Sequence, residues 1–213
     1  MSREEILQEI ISEISVCTRC PLATARKNTV PGEGPADAEI MFIGEGPGFY
    51  ENEQGRPFVG PAGKFLDELL AGAGLARDMV YITNVVKCRP PGNRDPQPDE
   101  LAACANYLGR QIDTIKPIVI VTLGRHSMAR YFNDAKISVI HGQSAWFNGQ
   151  LVVAMYHPAA GLHQPSLKEV IRKDFSQLPN YVEKAKTNKI NHTEISTPSD
   201  LNDEENATQL SFF

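Results

Sequence analysis

The stretch EIMFIGEGPGFYE, residues 39–51, decides how the rest of the sequence is interpreted. Its first half is a short apolar run, typical of a buried strand, and its second half is a glycine-rich loop. Three further apolar runs, at 80–86, 118–123 and 151–156, alternate with segments of helical periodicity. The Asn148-Gly149 pair predicts a hairpin into the last run. The alternation predicts an α/β fold with three layers, in which helices cover both faces of a central, mostly parallel four-stranded sheet.

The predicted helices fill the segments between these strands. Ser2 and Glu5 have the spacing of a capping box, and the helix that they open is expected to end near Val16. Ser166 and Glu169 have the same spacing at the start of the last predicted helix, which is expected to run through residue 178. The other helices are predicted at 62–70, 99–115 and 126–132.

The length and composition indicate one domain followed by a tail. Residues 1–183 suit a single compact domain, whereas residues 184–213 are polar, lack periodicity and are expected to be flexible. The formal net charge is −5, and the segment from Glu183 onward contributes −3 of it through six acids and three lysines. The remaining body can therefore still present a basic face to nucleic acid.

The sequence contains neither a membrane span nor a secretory signal. No apolar run approaches the roughly 18 residues that cross a bilayer. The N-terminus lacks a basic region followed by an apolar run and a small-residue cleavage site. We therefore expect a cytoplasmic monomer with no membrane partner, in which cysteine thiols stay reduced.

Four cysteines form a candidate metal site. Cys17 and Cys20 make a CxxC unit, Cys88 follows after 67 residues, and Cys104 follows after a further 15. This spacing is compatible with tetrahedral zinc or with an iron–sulfur cluster. The paired CxxC units of zinc ribbons are absent, which favours iron and sulfur. The alternative is that Cys104, which lies beside alanines on a predicted helix, is simply a buried residue.

Polar and aromatic side chains follow the predicted strands. The loop at 44–51 does not match the nucleotide-binding pattern GxGxxG, because Phe49 stands at the third glycine position. Its glycines instead allow the backbone to approach a planar ligand closely. Phe58 offers an aromatic face, Asn84 offers a donor and an acceptor, and His157 can stabilise negative charge. These strand ends are where ligands bind on parallel sheets.

Five ordered segments carry a family resemblance. They are GEGPGxxE at 44–51, GRPFVGxAG at 55–63, ITNVVKCRPP at 82–91, the helix that bears Cys104, and the turn Tyr156-His157-Pro158. Together they resemble the family 4 uracil-DNA glycosylases over about residues 15–180. The resemblance implies a DNA repair enzyme that hydrolyses the N-glycosidic bond of uracil in DNA. It also implies a [4Fe–4S] cluster held by the four cysteines.

The resemblance further implies roles for individual residues. Glu51 would orient or activate the water that attacks C1′ of the deoxyribose. Asn84 would read the uracil edge, Phe58 would stack on the flipped base, and the Glu45-Gly46 backbone would line the pocket. His157 would stabilise the departing uracil anion. Taken singly, the alternatives are a solvated glutamate, a core phenylalanine and a histidine that caps a strand.

Two further features concern DNA. Leu162 follows His157 in a loop where glycosylases of this superfamily tend to insert an apolar side chain into the space left by the flipped base. Lys87, Arg89 and Arg94 form a basic strip beside Cys88, which predicts phosphate contacts. The alternative for the strip is an ordinary solvated loop.

The C-terminal residues differ from the polar segment before them. They resemble the short peptide by which bacterial repair and replication proteins bind the sliding clamp, and a flexible tether would suit that role. The anchoring residues would be Gln209, Leu210, Phe212 and Phe213.

Other functions remain open from sequence alone. They are a relative that binds uracil-DNA without turnover, a zinc-stabilised nucleic-acid module, an iron–sulfur redox protein, and a glycosylase for another base. Relatives that trap DNA covalently carry a basic insert ending in histidine after the third cysteine. This chain has only PPGNRDPQP, residues 90–98, at that place. The presence of both Glu51 and Asn84 favours uracil.

Overall fold

The structure is a computed structural model that describes residues 1–194. The candidate clamp peptide, residues 209–213, lies outside the described part of the chain, as does most of the predicted tail.

A twisted five-stranded sheet forms the centre of the domain, with the strand order β2-β1-β3-β5-β4. All neighbouring pairs are parallel except β4 and β5, which are antiparallel. The strands are β1 Ile40–Gly44, β2 Tyr81–Asn84, β3 Val119–Leu123, β4 Gln143–Phe147 and β5 Gln150–Met155. The four predicted strands are thus confirmed, and β4 is a fifth strand that the sequence analysis does not predict.

Strand β4 lies at the edge of the sheet, and its residues are only partly buried. It therefore lacks the continuous apolar run by which the other strands are predicted. The hairpin to β5 turns at Asn148 and Gly149, which have φ of 48° and 78°. Positive φ at both positions is typical of the two-residue turn that Asn-Gly favours.

Helices cover both faces of the sheet, which confirms the three-layer α/β fold. Strand β1 shows why: Phe42 packs into the core on one face and Ile43 into the core on the other. The longer helices are α1 Arg3–Ser15, α4 Pro61–Gly72, α5 Pro98–Ile115, α9 Leu167–Phe175 and α10 Leu178–Glu194. The shorter ones are α2 Leu22–Ala25, α3 Phe49–Gln54, α6 Arg125–Met128, α7 Ile137–Ile140 and α8 Pro158–His163. Helices α1 and α5 pack on one face, and α4, α9 and α10 on the other.

The two predicted capping boxes have different outcomes. At the start of α1, Glu5 N donates to Ser2 Oγ and Ser2 N donates to Glu5 Oε2, so the first box is confirmed. The second box is wrong. Ser166 adopts a helical conformation instead of the extended one that a capping side chain needs, and it makes no capping hydrogen bond. Glu169 instead pairs with Arg172.

The predicted start of the tail at residue 184 is also wrong, because α10 continues to Glu194. Its composition is polar, but Leu178, Tyr181, Val182 and Ala185 recur at helical spacing and pack against the core. Four apolar positions on one face are enough to hold the helix on the sheet. Among the described helices, none combines the length and apolar character needed to cross a membrane.

Candidate functional site

The candidate pocket lies at the carboxyl ends of the parallel strands. Gly44 ends β1 and pairs in register with Asn84, which ends β2. Gly124 and His157 follow the ends of β3 and β5 at the same edge. The sheet thus brings together residues that are far apart in sequence, as the strand-end argument predicts.

Asn84 and Phe58 pack against the bare backbone of Gly44. A methyl group on Gly44 would overlap Asn84 Oδ1 and would lie 2.8 Å from Phe58 Cζ. Asn84 is 2% exposed. Among the side chains that the structure describes, residues 1–188, Asn84 Oδ1 is the one fully buried oxygen or nitrogen that has no hydrogen-bond partner. An acceptor that is buried without a partner is unfavourable by about 1–3 kcal/mol, which points to a ligand that donates to it.

Phe58 is held in an uncommon backbone conformation, with φ of 50°. Arg77 stabilises it, because Nη1 and Nη2 donate to the carbonyls of Phe58 and Pro57 at 3.2 and 2.6 Å. The Phe58 ring stacks on the imidazole of His157, with ring centroids 5.4 Å apart. Such local strain is typical of functional sites, where the surrounding structure imposes it. The result is an aromatic wall beside Asn84.

His157 is arranged as a neutral hydrogen-bond donor. Ala159 N donates to His157 Nδ1 at 3.1 Å, so the single proton of the neutral ring lies on Nε2. Burial of the ring lowers the pKa of His157 to about 4, although the nearby carboxylate of Glu51 acts in the opposite direction. The neutral form therefore predominates at pH 7. Nε2 can donate to an anion without itself carrying a charge.

Three backbone amides fix the carboxylate of Glu51. Val59 N and Gly60 N both donate to Oε1 at 2.9 Å, and Gly48 N donates to Oε2 at 3.1 Å. These bonds tie the glycine-rich loop to the segment that carries Phe58. Because an oxygen of a carboxylate accepts two hydrogen bonds, Oε1 is saturated and Oε2 keeps one position for a further donor.

Glu45 belongs to an ion-pair cluster that sequence reasoning missed. His126 Nε2 lies 3.7 Å from Glu45 Oε2 and 3.6 Å from Asp95 Oδ1. Burial raises the pKa of Glu45, His126 acts in the opposite direction, and Asp95 adds to the increase. Arg125 forms an ion pair with Asp95 and so balances much of the acidic charge. The position of His126 just after β3 is the one signal in the sequence that could have suggested this cluster.

The structure brings the four cysteines together, and all four line one small cavity. All four are free, and they lie in the segment between α1 and α2 (Cys17 and Cys20), in the loop after β2 (Cys88) and on helix α5 (Cys104). Arg26 bridges two of these segments, since its Nη1 donates to Cys17 O at 2.6 Å and lies 3.5 Å from Cys88 Sγ. Arg19 and Lys87 also line the cavity. The donor set is therefore four thiols beside the guanidinium groups of Arg19 and Arg26.

The predicted basic strip does not act as a unit. The assignment of Lys87 to DNA phosphate is wrong, because its side chain is 1% exposed and points into the protein. Arg94 is exposed but forms a bidentate ion pair with Glu100. Arg89 is partly exposed, and its guanidinium carbon lies 5.3 Å from the centre of the Phe49 ring. Arg89 is therefore available to DNA, whereas the guanidinium of Arg94 is already held by Glu100 and would contact DNA only through its remaining exposed edge.

Leu162 lies on helix α8, and 39% of the residue is exposed. The helix begins at Pro158, directly after His157, so its position relative to the pocket is set by the same strand end. An exposed leucine at this place is available to contact DNA, and its role as a wedge stays a prediction.

Comparison with known proteins identifies the class to which this fold and site belong. Residues 31–184 match the family model described as the Uracil DNA glycosylase superfamily, and this chain belongs to that superfamily. The type-4 uracil-DNA glycosylase of Sulfurisphaera tokodaii is 49% identical over 187 residues, which cover 83% of each chain. That of Archaeoglobus fulgidus is 47% identical over 82% of this chain and 92% of its own. That of Thermotoga maritima is 42% identical over 86% of this chain and 98% of its own. The resemblance to family 4 is thus confirmed.

Proposed function

We propose that this chain is a DNA repair enzyme that hydrolyses the N-glycosidic bond of uracil in DNA and leaves an abasic site. The chain is 42–49% identical to three type-4 uracil-DNA glycosylases, and the similarity extends over most of the length of each. The observation that carries the proposal is the unpartnered Oδ1 of Asn84, buried between Gly44 and Phe58. Uracil presents an N–H donor between two carbonyl oxygens, so its N3–H complements this acceptor.

The pocket can discriminate uracil from cytosine through the same amide. With Oδ1 accepting from N3–H, the Asn84 amide nitrogen can donate to O4 of uracil. Cytosine has an acceptor at N3 and a donor at C4, so it would oppose both contacts. A pocket whose buried polar groups are left unpaired rejects the wrong ligand strongly. Phe58 would stack on the flipped base.

Cleavage separates charge, since the sugar becomes positive and the base negative in the transition state. His157 Nε2–H is suited to donate to the oxygen of the departing uracil, and it does so as a neutral group. A preorganised donor of this kind lowers the barrier by about 3 kcal/mol in comparable sites. Glu51 would orient the attacking water through the one free acceptor position on Oε2 while its other bonds hold the pocket wall. Its negative charge would also favour the cationic sugar.

We propose a [4Fe–4S] cluster as the cofactor held by the four cysteines, and the chemistry of the donor set supports it. The four thiols of Cys17, Cys20, Cys88 and Cys104 supply the ligand set that such clusters use. The neighbouring arginines would offset the negative charge of a thiolate-bound centre. When bound, the cluster would supply metal–sulfur bonds that cross-link α1, the loop after β2 and α5. Iron and acid-labile sulfide in the anaerobically purified protein would support this assignment, and stoichiometric zinc in their place would overturn it.

Contacts with DNA outside the pocket are part of the same proposal. Arg89 and Arg94 would contact phosphates, and Leu162 would fill the gap left by the flipped base. The C-terminal peptide, Gln209–Phe213, would bind a sliding clamp. Deleting these five residues should abolish clamp binding in a surface-immobilised assay, and unchanged binding would remove this part of the proposal.

The activity test uses an oligonucleotide that contains a single uracil. Free uracil should appear in the supernatant in proportion to alkali-sensitive abasic sites, which separates excision from binding. A protein that retards the oligonucleotide but releases no uracil would instead be a binding protein. A thymine-containing oligonucleotide of the same sequence is the control.

A further inference from the structure

Lys87 is a buried amine for which the pocket chemistry above has no use. Its Nζ lies between β2 and α5 and donates to Thr83 Oγ1 at 2.6 Å, to Asn84 O at 2.8 Å and to Gln111 Oε1 at 2.7 Å. All three partners belong to the protein, so the hydrogen bonds of this side-chain nitrogen are made entirely inside it. Because an ammonium buried without such partners is strongly unfavourable, these three contacts are what permits its position.

One of the three acceptors belongs to the residue that would read the base. The peptide unit that joins Asn84 to Val85 is held on both sides. Its carbonyl accepts from Lys87 Nζ, and its N–H, from Val85, donates to Gly44 O at 3.0 Å. The orientation of this peptide plane sets the direction in which the Asn84 side chain leaves the backbone. Lys87 therefore helps to aim the amide into the pocket.

The other end of the network leads to the cysteine site. Lys87 directly precedes Cys88 and is one of the residues that line the cysteine cavity. Gln111 lies on α5 seven residues after Cys104, which places both on the same face of the helix. Gln111 is fixed in turn, because its Nε2 donates to Pro31 O at 2.8 Å and to Tyr81 Oη at 3.1 Å. The helix that carries one cysteine is thus connected by hydrogen bonds to the base-reading strand.

We propose that Lys87 is a positioning residue that couples the cysteine site to uracil recognition. Its side-chain nitrogen holds the Asn84 carbonyl in a fixed relation to α5, and so transmits the placement of that helix to the Asn84 amide. The inference rests on the proposed function, because it concerns binding at the same pocket. It predicts that uracil affinity falls when the Lys87 contacts are broken, even where the cysteine site stays intact.

The test compares two buried threonines in the full-length, cluster-loaded protein. Thr83→Val removes a hydroxyl that accepts from Lys87 and donates to Pro31 O. Thr122→Val removes an equally buried strand hydroxyl that donates only to Val153 O. The dissociation constant of free uracil, measured by calorimetry, should rise about tenfold in Thr83→Val. It should be unchanged in Thr122→Val, and Thr83→Ser should restore the wild-type value.

Lys87→Met gives the second measurement, with iron content and the absorbance of the cluster recorded for every variant. We expect Lys87→Met to weaken uracil binding by more than Thr83→Val while iron stays near the wild-type level. If Lys87→Met fails to retain iron, Thr83→Val decides the matter. Wild-type affinity in an iron-replete Thr83→Val protein would overturn the inference and leave the proposed function standing. A wild-type protein that neither binds nor releases uracil would overturn both.

Discussion

Replacing Gly44 with alanine should damage the pocket without touching a residue that contacts the reacting atoms. The added methyl group would overlap Asn84 Oδ1 and approach Phe58 Cζ to 2.8 Å. Since real side-chain carbons essentially never come this close to another atom, one or both of these side chains must move. Both belong to the proposed binding site for the base, so the displacement should be seen in uracil recognition.

The magnitude follows from two contributions. Overpacking a tight site is unfavourable by about 1–3 kcal/mol, and a displaced Asn84 amide loses a hydrogen bond worth about 1 kcal/mol. Together these give about 2–4 kcal/mol, or roughly a thirtyfold to thousandfold loss in kcat/KM. The loss should be seen mainly in the binding of uracil, because His157 and Glu51 are held by backbone contacts that Gly44 does not make.

The matched control is Gly109→Ala on α5. A methyl group at Gly109 meets no atom within 4 Å, and alanine is favoured over glycine inside a helix by about 1 kcal/mol. This variant should excise uracil at the wild-type rate and melt at the same or a higher temperature. The assay is single-turnover excision from a uracil oligonucleotide at several protein concentrations. A Gly44→Ala protein with wild-type kcat/KM would refute the reasoning, because the pocket would then not lie where the structure places it.

Three further predictions address other parts of the site. His157→Asn should lower single-turnover excision about a hundredfold or more, because the shorter asparagine side chain places no donor at the position of Nε2. The matched variant His141→Asn, at a histidine paired with Asp174, should keep most of the activity. As the pH falls through about 4, excision should decline with the protonation of His157, whereas this group should leave the rate unchanged between about pH 6 and 8; a midpoint near 6.5 would contradict the depressed pKa. Arg89→Gln should reduce the slope of log affinity against log salt concentration by about 0.7–0.9, and Arg172→Gln on α9 should leave it unchanged.

Local patterns in the sequence are sufficient to predict the sheet and much of the pocket. Apolar runs that end in glycine or polar residues predict β1, β2, β3 and β5, and parallel strands bring their carboxyl ends together. Asn84 and His157 could therefore be predicted as neighbours from their positions alone. Edge strand β4 was missed because half-exposed residues produce no apolar run.

The features that escaped prediction depend on contacts between distant segments. Lys87 lies beside two arginines in a loop with the composition of a phosphate-binding segment, and nothing local indicates that Gln111 and Thr83 will surround its amine. The cluster of Glu45, Asp95 and His126 likewise combines residues from two loops and helix α6. Side-chain direction at the end of a strand is a tertiary property, which no local pattern encodes.

The most direct test of the central claim is excision by the wild-type protein and by Asn84→Ala. Both are given the same oligonucleotide with uracil or with thymine at one position. We expect the wild-type protein to release uracil and no thymine. We expect Asn84→Ala to release uracil about a hundredfold more slowly, with unchanged iron content. No uracil-dependent product from the wild-type protein, or a wild-type rate from Asn84→Ala, would contradict it.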